Sequence, residues 1–114
     1  MRSSGPIEVL CVYRPRKGNE AAFLKVLHRH WATLHAKGLT SRKRAKAWRG
    51  QSKKGAVVYF EIFEWKNADA VASAHQSPEV LAVWEPMERL TESMEFFNSV
   101  PVPIASGTGS RKSR

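Results

Sequence analysis

Four imidazoles stand in this sequence, at His28, His30, His35 and His75, and imidazole is the side chain best poised to take a proton near neutral pH. His75 shares a helix face with Val71 and Ala74, which turns it toward an apolar interior; it is the first candidate for a general base. His30 falls in the middle of an apolar helical stripe, about 20° from Phe23 on a helical wheel, where a leucine is expected. It either lines a pocket or is a core histidine with a buried partner. Tyr59, Glu61, Phe63 and Trp65 alternate along one face of a single strand. If that face meets helices, its rings can stack on a flat substrate, and Glu61 can orient a histidine or take a proton. If it does not, the same residues are interface core. Trp84 joins the pocket candidates, since four tryptophans in 114 residues favour an aromatic-lined cavity. No two histidines have helical metal-ligand spacing with a matching carboxylate, so no metal site is expected.

The strand that carries these residues, Ala56 to Trp65, is apolar or aromatic on both faces. Val58, Phe60 and Ile62 point opposite to Val57, Tyr59, Phe63 and Trp65. Such a strand needs two covers, and a chain of 114 residues supplies one layer of helices. Before it, a first strand over Ile7 to Tyr13 stops at the breakers Arg14 to Gly18. Asn19 is placed to cap a helix that ends at Gly38, with Phe23, Leu27, Trp31 and Leu34 as its apolar stripe. A weaker second strand, Ser41 to Trp48, leads through a Gly-bounded polar loop into the strong one, as in a hairpin. Asn67 caps a short helix through His75, Ser77-Pro78-Glu79 restarts it, and Pro86 is expected to interrupt or kink that segment. A last strand runs from Met94 to Val100.

The order strand, helix, strand, strand, helix, strand is the split βαβ arrangement of an α+β, ferredoxin-like fold: a four-stranded antiparallel sheet with helices on one face. Residues 1–105 are expected to form one domain, and the basic Ser/Gly composition of residues 106–114 is that expected of a disordered tail. The bare sheet face carries Leu10, Val12 and either Met94 and Phe96 or Phe97, so a homodimer packed through its sheet faces is expected.

Net charge is +9, unevenly spread: residues 1–54 hold 14 Lys/Arg against 2 Asp/Glu, and residues 55–100 hold 2 against 8. Arg42, Lys43, Arg44, Lys46, Arg49, Lys53 and Lys54 form either a solvated strand edge or an anion-binding surface. The run Lys54-Gly55-Ala56-Val57-Val58 lacks the aromatics that RNA-recognition sheets place after Lys-Gly, so nucleic acid is a possible partner but not a favoured one. The lone Cys11 sits in an apolar run and reads as core. No stretch is long and apolar enough for a membrane span, and Met1 to Pro6 lacks the apolar core of a secretion signal, so the expected location is cytoplasmic.

The segment Tyr59-Phe60-Glu61-Ile62-Phe63-Glu64-Trp65-Lys66-Asn67-Ala68-Asp69-Ala70-Val71, with Ala74-His75-Gln76-Ser77-Pro78-Glu79 and then Trp84, resembles the antibiotic biosynthesis monooxygenase family of dimeric α/β barrels. The likeness covers about residues 6 to 100. It implies a pocket between sheet and helices in each protomer, holding a small aromatic or quinol-like molecule. It also implies cofactor-free oxygenation, in which the protein supplies a dry aromatic pocket, a base and donors for the resulting anion. The alternative is a non-catalytic ligand-binding or stress-response protein on the same scaffold. The family's haem-degrading members require a Trp at the end of the third strand, met by Trp65, a His that falls at or beside Trp84, and an Asn that falls near Val12. Two of the three are missing, so no haem and no other cofactor is expected.

Overall fold

The computed structural model describes residues 5–104. Its elements are β1 (Ile7–Pro15), α1 (Glu20–Ala36), β2 (Lys46–Gln51), β3 (Val57–Trp65), α2 (Ala68–Ala74), α3 (Pro78–Arg89) and β4 (Thr91–Asn98). The strands form one antiparallel sheet in the order β2-β3-β1-β4, and the fold is the expected α+β, ferredoxin-like one. Residues 1–4 and 105–114, and with them the expected tail over 106–114, lie outside the described residues.

Alternation decides the two faces. Val9, Cys11 and Tyr13 of β1, with Tyr59, Glu61, Phe63 and Trp65 of β3, are all buried, and they pack with Phe23, Val26, Leu27 and Leu34 of α1 and Val80, Val83 and Met87 of α3. The face bearing Tyr59 and Glu61 is therefore the helix face. Cross-strand register puts Leu10 beside Ile62 and Phe97, and Val12 beside Phe60, on the other face, and Trp48 beside Phe60. Phe97 and not Met94 or Phe96 belongs to that outer face, because β4 pairs Phe96 with Cys11. No helix among the described residues is long and apolar enough to cross a membrane.

Several boundaries differ from those expected. β2 begins at Lys46 and not Ser41; residues 41–45 follow an isolated Thr40–Trp65 bridge, and Ser41 and Lys43 instead bond Glu64. Arg49 to Gln51, expected as loop, are strand, and Gly50 is suited to it because an added Cβ would lie 3.2 Å from the Phe60 ring. β4 starts at Thr91 and ends at Asn98. Pro86 lies inside α3 without ending it, although its ring nitrogen offers no helix bond. Asn19 precedes α1 but makes no side-chain cap, whereas Asn67 and Ser77 cap as expected, accepting from Ala70 N at 3.0 Å and Val80 N at 3.3 Å. Trp31 sits at the border of the α1 stripe, and His30 takes the buried place.

Candidate functional site

Glu61 is a carboxylate in a hydrophobic core, 2% exposed. A charge so placed is tolerated only with donors around it. Tyr13 Oη donates to Glu61 Oε1 at 2.7 Å, and His30 Nδ1 lies 2.9 Å from the same oxygen. On the far side of the imidazole, Trp84 Nε1 lies 3.0 Å from His30 Nε2. An indole N–H only donates, so Nε2 must accept, and the proton of a neutral His30 sits on Nδ1, directed at Glu61. Four residues from β1, α1, β3 and α3 thus form one chain, Tyr13–Glu61–His30–Trp84. Burial, and after it the Glu61 charge, hold the Tyr13 phenol well above its usual value. The same two causes push the neighbouring Cys11 thiol up to about 12.

Glu61 also opens onto a cavity of about 400 Å³ between α1 and β2, within the range of small-molecule sites, roughly 300–1,000 Å³. The room comes from small side chains: Ala32 on α1 faces Ala45 and Ala47 beside Glu61. Leu24, Leu27 and Trp31 make the apolar wall, and the exposed His28, Arg44 and Lys46 lie at the rim. Trp31 is sandwiched, with His35 stacked at 4.5 Å and the Arg44 guanidinium 5.6 Å from its ring centre. Among the described residues, its buried Nε1 has no hydrogen-bond partner.

A second acidic cluster lies further along the same sheet face. Glu20 accepts from Tyr59 Oη at 2.6 Å and from both Arg49 Nε and Nη2. The Arg49 bonds, then the Tyr59 bond, hold the Glu20 carboxyl down to about 2. Glu20 borders a larger hollow of about 870 Å³ that also takes in Val58 and Phe60 of the outer face. No buried ionised group with a bare oxygen lines that hollow, so the smaller cavity is the better candidate.

Of the sequence candidates, Glu61, His30 and Trp84 are brought together. Phe63 supports them, its ring edge-on to His30 at 5.6 Å, and Trp65 packs on Phe63 at 5.1 Å. Tyr59 is held by Glu20 instead. His75 is not in this group: it is the exposed C-cap of α2, turned out because Ala70 and Ala74 take the buried positions, and its ring rests on Trp84 at 5.0 Å. Tyr13 and Ala47 were not singled out, while Arg44 was read only within the basic run and Trp31 only within the α1 stripe; Tyr13 was legible only through the β1–β3 register, which pairs it with Tyr59. Among the described residues no group of three metal-ligating side chains converges.

Similar solved structures share this architecture. SnoaB, a cofactor-independent oxygenase from Streptomyces nogalater, solved as a point variant, is 19% identical over 87% of this chain and 97% of its own, with a TM-score of 0.65. The fold is that of the antibiotic biosynthesis monooxygenases. A proposed antibiotic biosynthesis monooxygenase from Chloroflexus aurantiacus matches at 16% identity, covering 89% of this chain and 97% of that one, with a TM-score of 0.61. PA3566 from Pseudomonas aeruginosa reaches a TM-score of 0.67 at 14% identity over 90% of this chain and all of its own, 100%. At such identities the antibiotic biosynthesis monooxygenase likeness is one of fold. No protein-family model matches the sequence, and no curated protein matches it.

Proposed function

We propose that the protein is a cofactor-independent monooxygenase for an aromatic, quinol-like molecule bound in the α1–β2 cavity, with Glu61 as the base. The observation that carries this is the bonding of Glu61: Tyr13 and His30 both occupy Oε1, and among the described residues no hydrogen bond engages Oε2. A carboxylate held by one oxygen, beside an aromatic wall, is oriented to take a proton from a guest with the other. For an anthrone-type guest, loss of a proton from the ring methylene gives an electron-rich anion, which reduces O2: one oxygen atom enters at that methylene carbon as a carbonyl, and the other leaves as water with the two hydrogens the carbon loses. The oxygenase activity of SnoaB lends this reading weight through the shared fold.

His30 and Tyr13 position Glu61, and Trp84 sets the tautomer of His30. The second reading is a ligand-binding protein without turnover, in which a carboxylate held in place by Tyr13 and His30 only anchors the guest. The bare outer face, with Leu10, Val12, Trp48, Phe60, Ile62 and Phe97, is assigned to a second copy of the chain packed sheet to sheet. Lys43 and Arg49 of the basic run are engaged by Glu64 and Glu20, so a nucleic-acid role draws little support.

Oxygen uptake by the metal-stripped protein, measured over hydroquinones and anthrones, tests the reading. Turnover that falls about a hundredfold or more in Glu61→Gln supports it. Turnover unchanged in that variant removes Glu61 from the chemistry, and calorimetric binding without turnover selects the second reading.

A further inference from the structure

Two basic turns meet at one end of the sheet. Arg16-Lys17-Gly18-Asn19 joins β1 to α1 and closes with the Asn19 N–H on the Arg16 carbonyl at 2.9 Å; Ser52-Lys53-Lys54-Gly55 joins β2 to β3 and closes with the Gly55 N–H on the Ser52 carbonyl at 2.9 Å. Gly18 and Gly55 hold φ of 85° and 91°, values that glycine adopts freely and that turn the chain sharply here. Both turns line the hollow of about 870 Å³ that Glu20 borders. Its charge is one-sided. Arg16 Nε donates to the Arg89 carbonyl at 3.2 Å, and its terminal nitrogens have no partner among the described residues. Lys17 and Lys54, also on the lining, make no ion pair and no side-chain hydrogen bond among the described residues. A fourth cation, Arg14, is paired with Glu95 at 2.6 Å. Of the two acids on the lining, Glu20 has its oxygens engaged by Arg49 and Tyr59, and Glu92 sets a single charge against Arg16, Lys17 and Lys54.

We propose that this hollow binds a phosphate monoester, with Arg16, Lys17 and Lys54 around the phosphate and the ester's apolar part along Pro15 and Val58. A carboxylate brings one charge, whereas a phosphate monoester brings nearly two at neutral pH and three acceptor oxygens, which suits donors that arrive from two separate turns. The backbone N–H groups of Lys17, Gly18 and Lys54 have no partner among the described residues, and successive N–H groups in such turns form concavities that hold anions. α1 begins at the same edge, and Asn19 gives its first N–H groups no side-chain cap, so the positive end of the helix dipole adds to the field there. Phe60 remains with the outer face assigned to a second copy. The hollow shares no lining residue with the Glu61 cavity, so the proposal stands apart from the chemistry proposed there.

Isothermal titration calorimetry of the whole protein with monohexyl phosphate, hexyl sulfate and inorganic phosphate tests the proposal. Wild type is compared with Lys17→Gln/Lys54→Gln and with Lys25→Gln/Arg29→Gln, which removes the same charge from exposed positions of α1 that do not line the hollow. All four residues are exposed, so neither variant disturbs the core. The expected result is hexyl phosphate bound about tenfold more tightly than hexyl sulfate, which has a similar shape and one charge, and weakened about tenfold in Lys17→Gln/Lys54→Gln alone. Equal weakening in the two variants is attraction to net charge and overturns the proposal. Sulfate bound as tightly as the phosphate, or no binding of either, overturns it as well. Inorganic phosphate bound as tightly as the ester overturns the role of Pro15 and Val58. Vesicles containing phosphatidic acid distinguish the two sources of such an ester: sedimentation with them that is lost in Lys17→Gln/Lys54→Gln supports a lipid-borne phosphate in this site, and calorimetric binding without sedimentation supports a soluble one.

Discussion

The indole N–H of Trp84 donates to Nε2 of His30 across 3.0 Å, a partly buried polar contact that joins α3 to α1. A histidine so capped has one tautomer, and its remaining N–H belongs to Glu61.

Trp84→Phe removes that donor. His30 Nε2 is left buried without a partner, which costs about 1–3 kcal/mol. Urea unfolding reads the loss, and nitrogen chemical shifts of the His30 ring show the Nδ1–H tautomer in wild type. A wild-type ring protonated on Nε2 would refute the network.

Glu61→Leu and Glu61→Gln separate structure from chemistry. Leucine strands Tyr13 and His30 together and destabilises by about 3 kcal/mol. Glutamine keeps an accepting oxygen and stays within about 1 kcal/mol of wild type by the same measurement, while losing the proposed base. Equal stability of the two variants would mean that Glu61 is not gripped as described. His75→Ala, at an exposed position, leaves turnover intact.

Much of the fold was readable, and the unread parts have physical causes. β3 announced itself because apolar and aromatic residues stand on both of its faces, interrupted only by Glu61 and Glu64. β2 did not: it is an edge strand whose residues 46–49 and 51 are exposed, so no burial pattern marks its ends. Pro86 misled because a helix held by Val83 and Met87 on its buried side survives one missing bond on its half-exposed side. The pairing of Glu61 with a histidine was foreseeable from the anomaly of His30 in an apolar stripe. The identity of the further partners was not, since Trp84 lies 54 residues from His30 and only the packing of α3 on α1 brings them together. His75 failed as a candidate because a helical wheel does not say where a seven-residue helix ends.

Acid stability depends on Glu20. Its folded-state pKa, about 2, lies below the ordinary value of 4.5 because of Arg49 and Tyr59. A depressed acid contributes stability that is present above its unfolded pKa and lost as pH falls toward the folded one. Thermal melts from pH 6 down to pH 2 therefore show a steeper fall between about pH 4.5 and 2 in wild type than in Glu20→Gln. Parallel curves would remove Glu20 from the acid response.

The Cys11 thiol, fully buried and raised to about 12, stays protonated at ordinary pH. Labelling by a disulfide reagent at pH 8 is slow in native protein and immediate in denaturant, because the thiolate is the reacting species. Fast native labelling would show that this part of the sheet opens.

Sheet-to-sheet pairing predicts twice the chain mass of 12.9 kDa in light scattering. Phe60→Glu places a charge among Val12 and Trp48, and reduces the species to the single-chain mass. Wild type at the single-chain mass would overturn the dimer.

The cavity exists because Ala32, Ala45 and Ala47 end at their first carbon. Its capacity is thus set by absent atoms and not by the path of the main chain. Descendants of such a gene could admit smaller or larger guests through one-codon changes at these three places, with strand register and helix axis untouched. Divergence of diet would then outpace divergence of architecture.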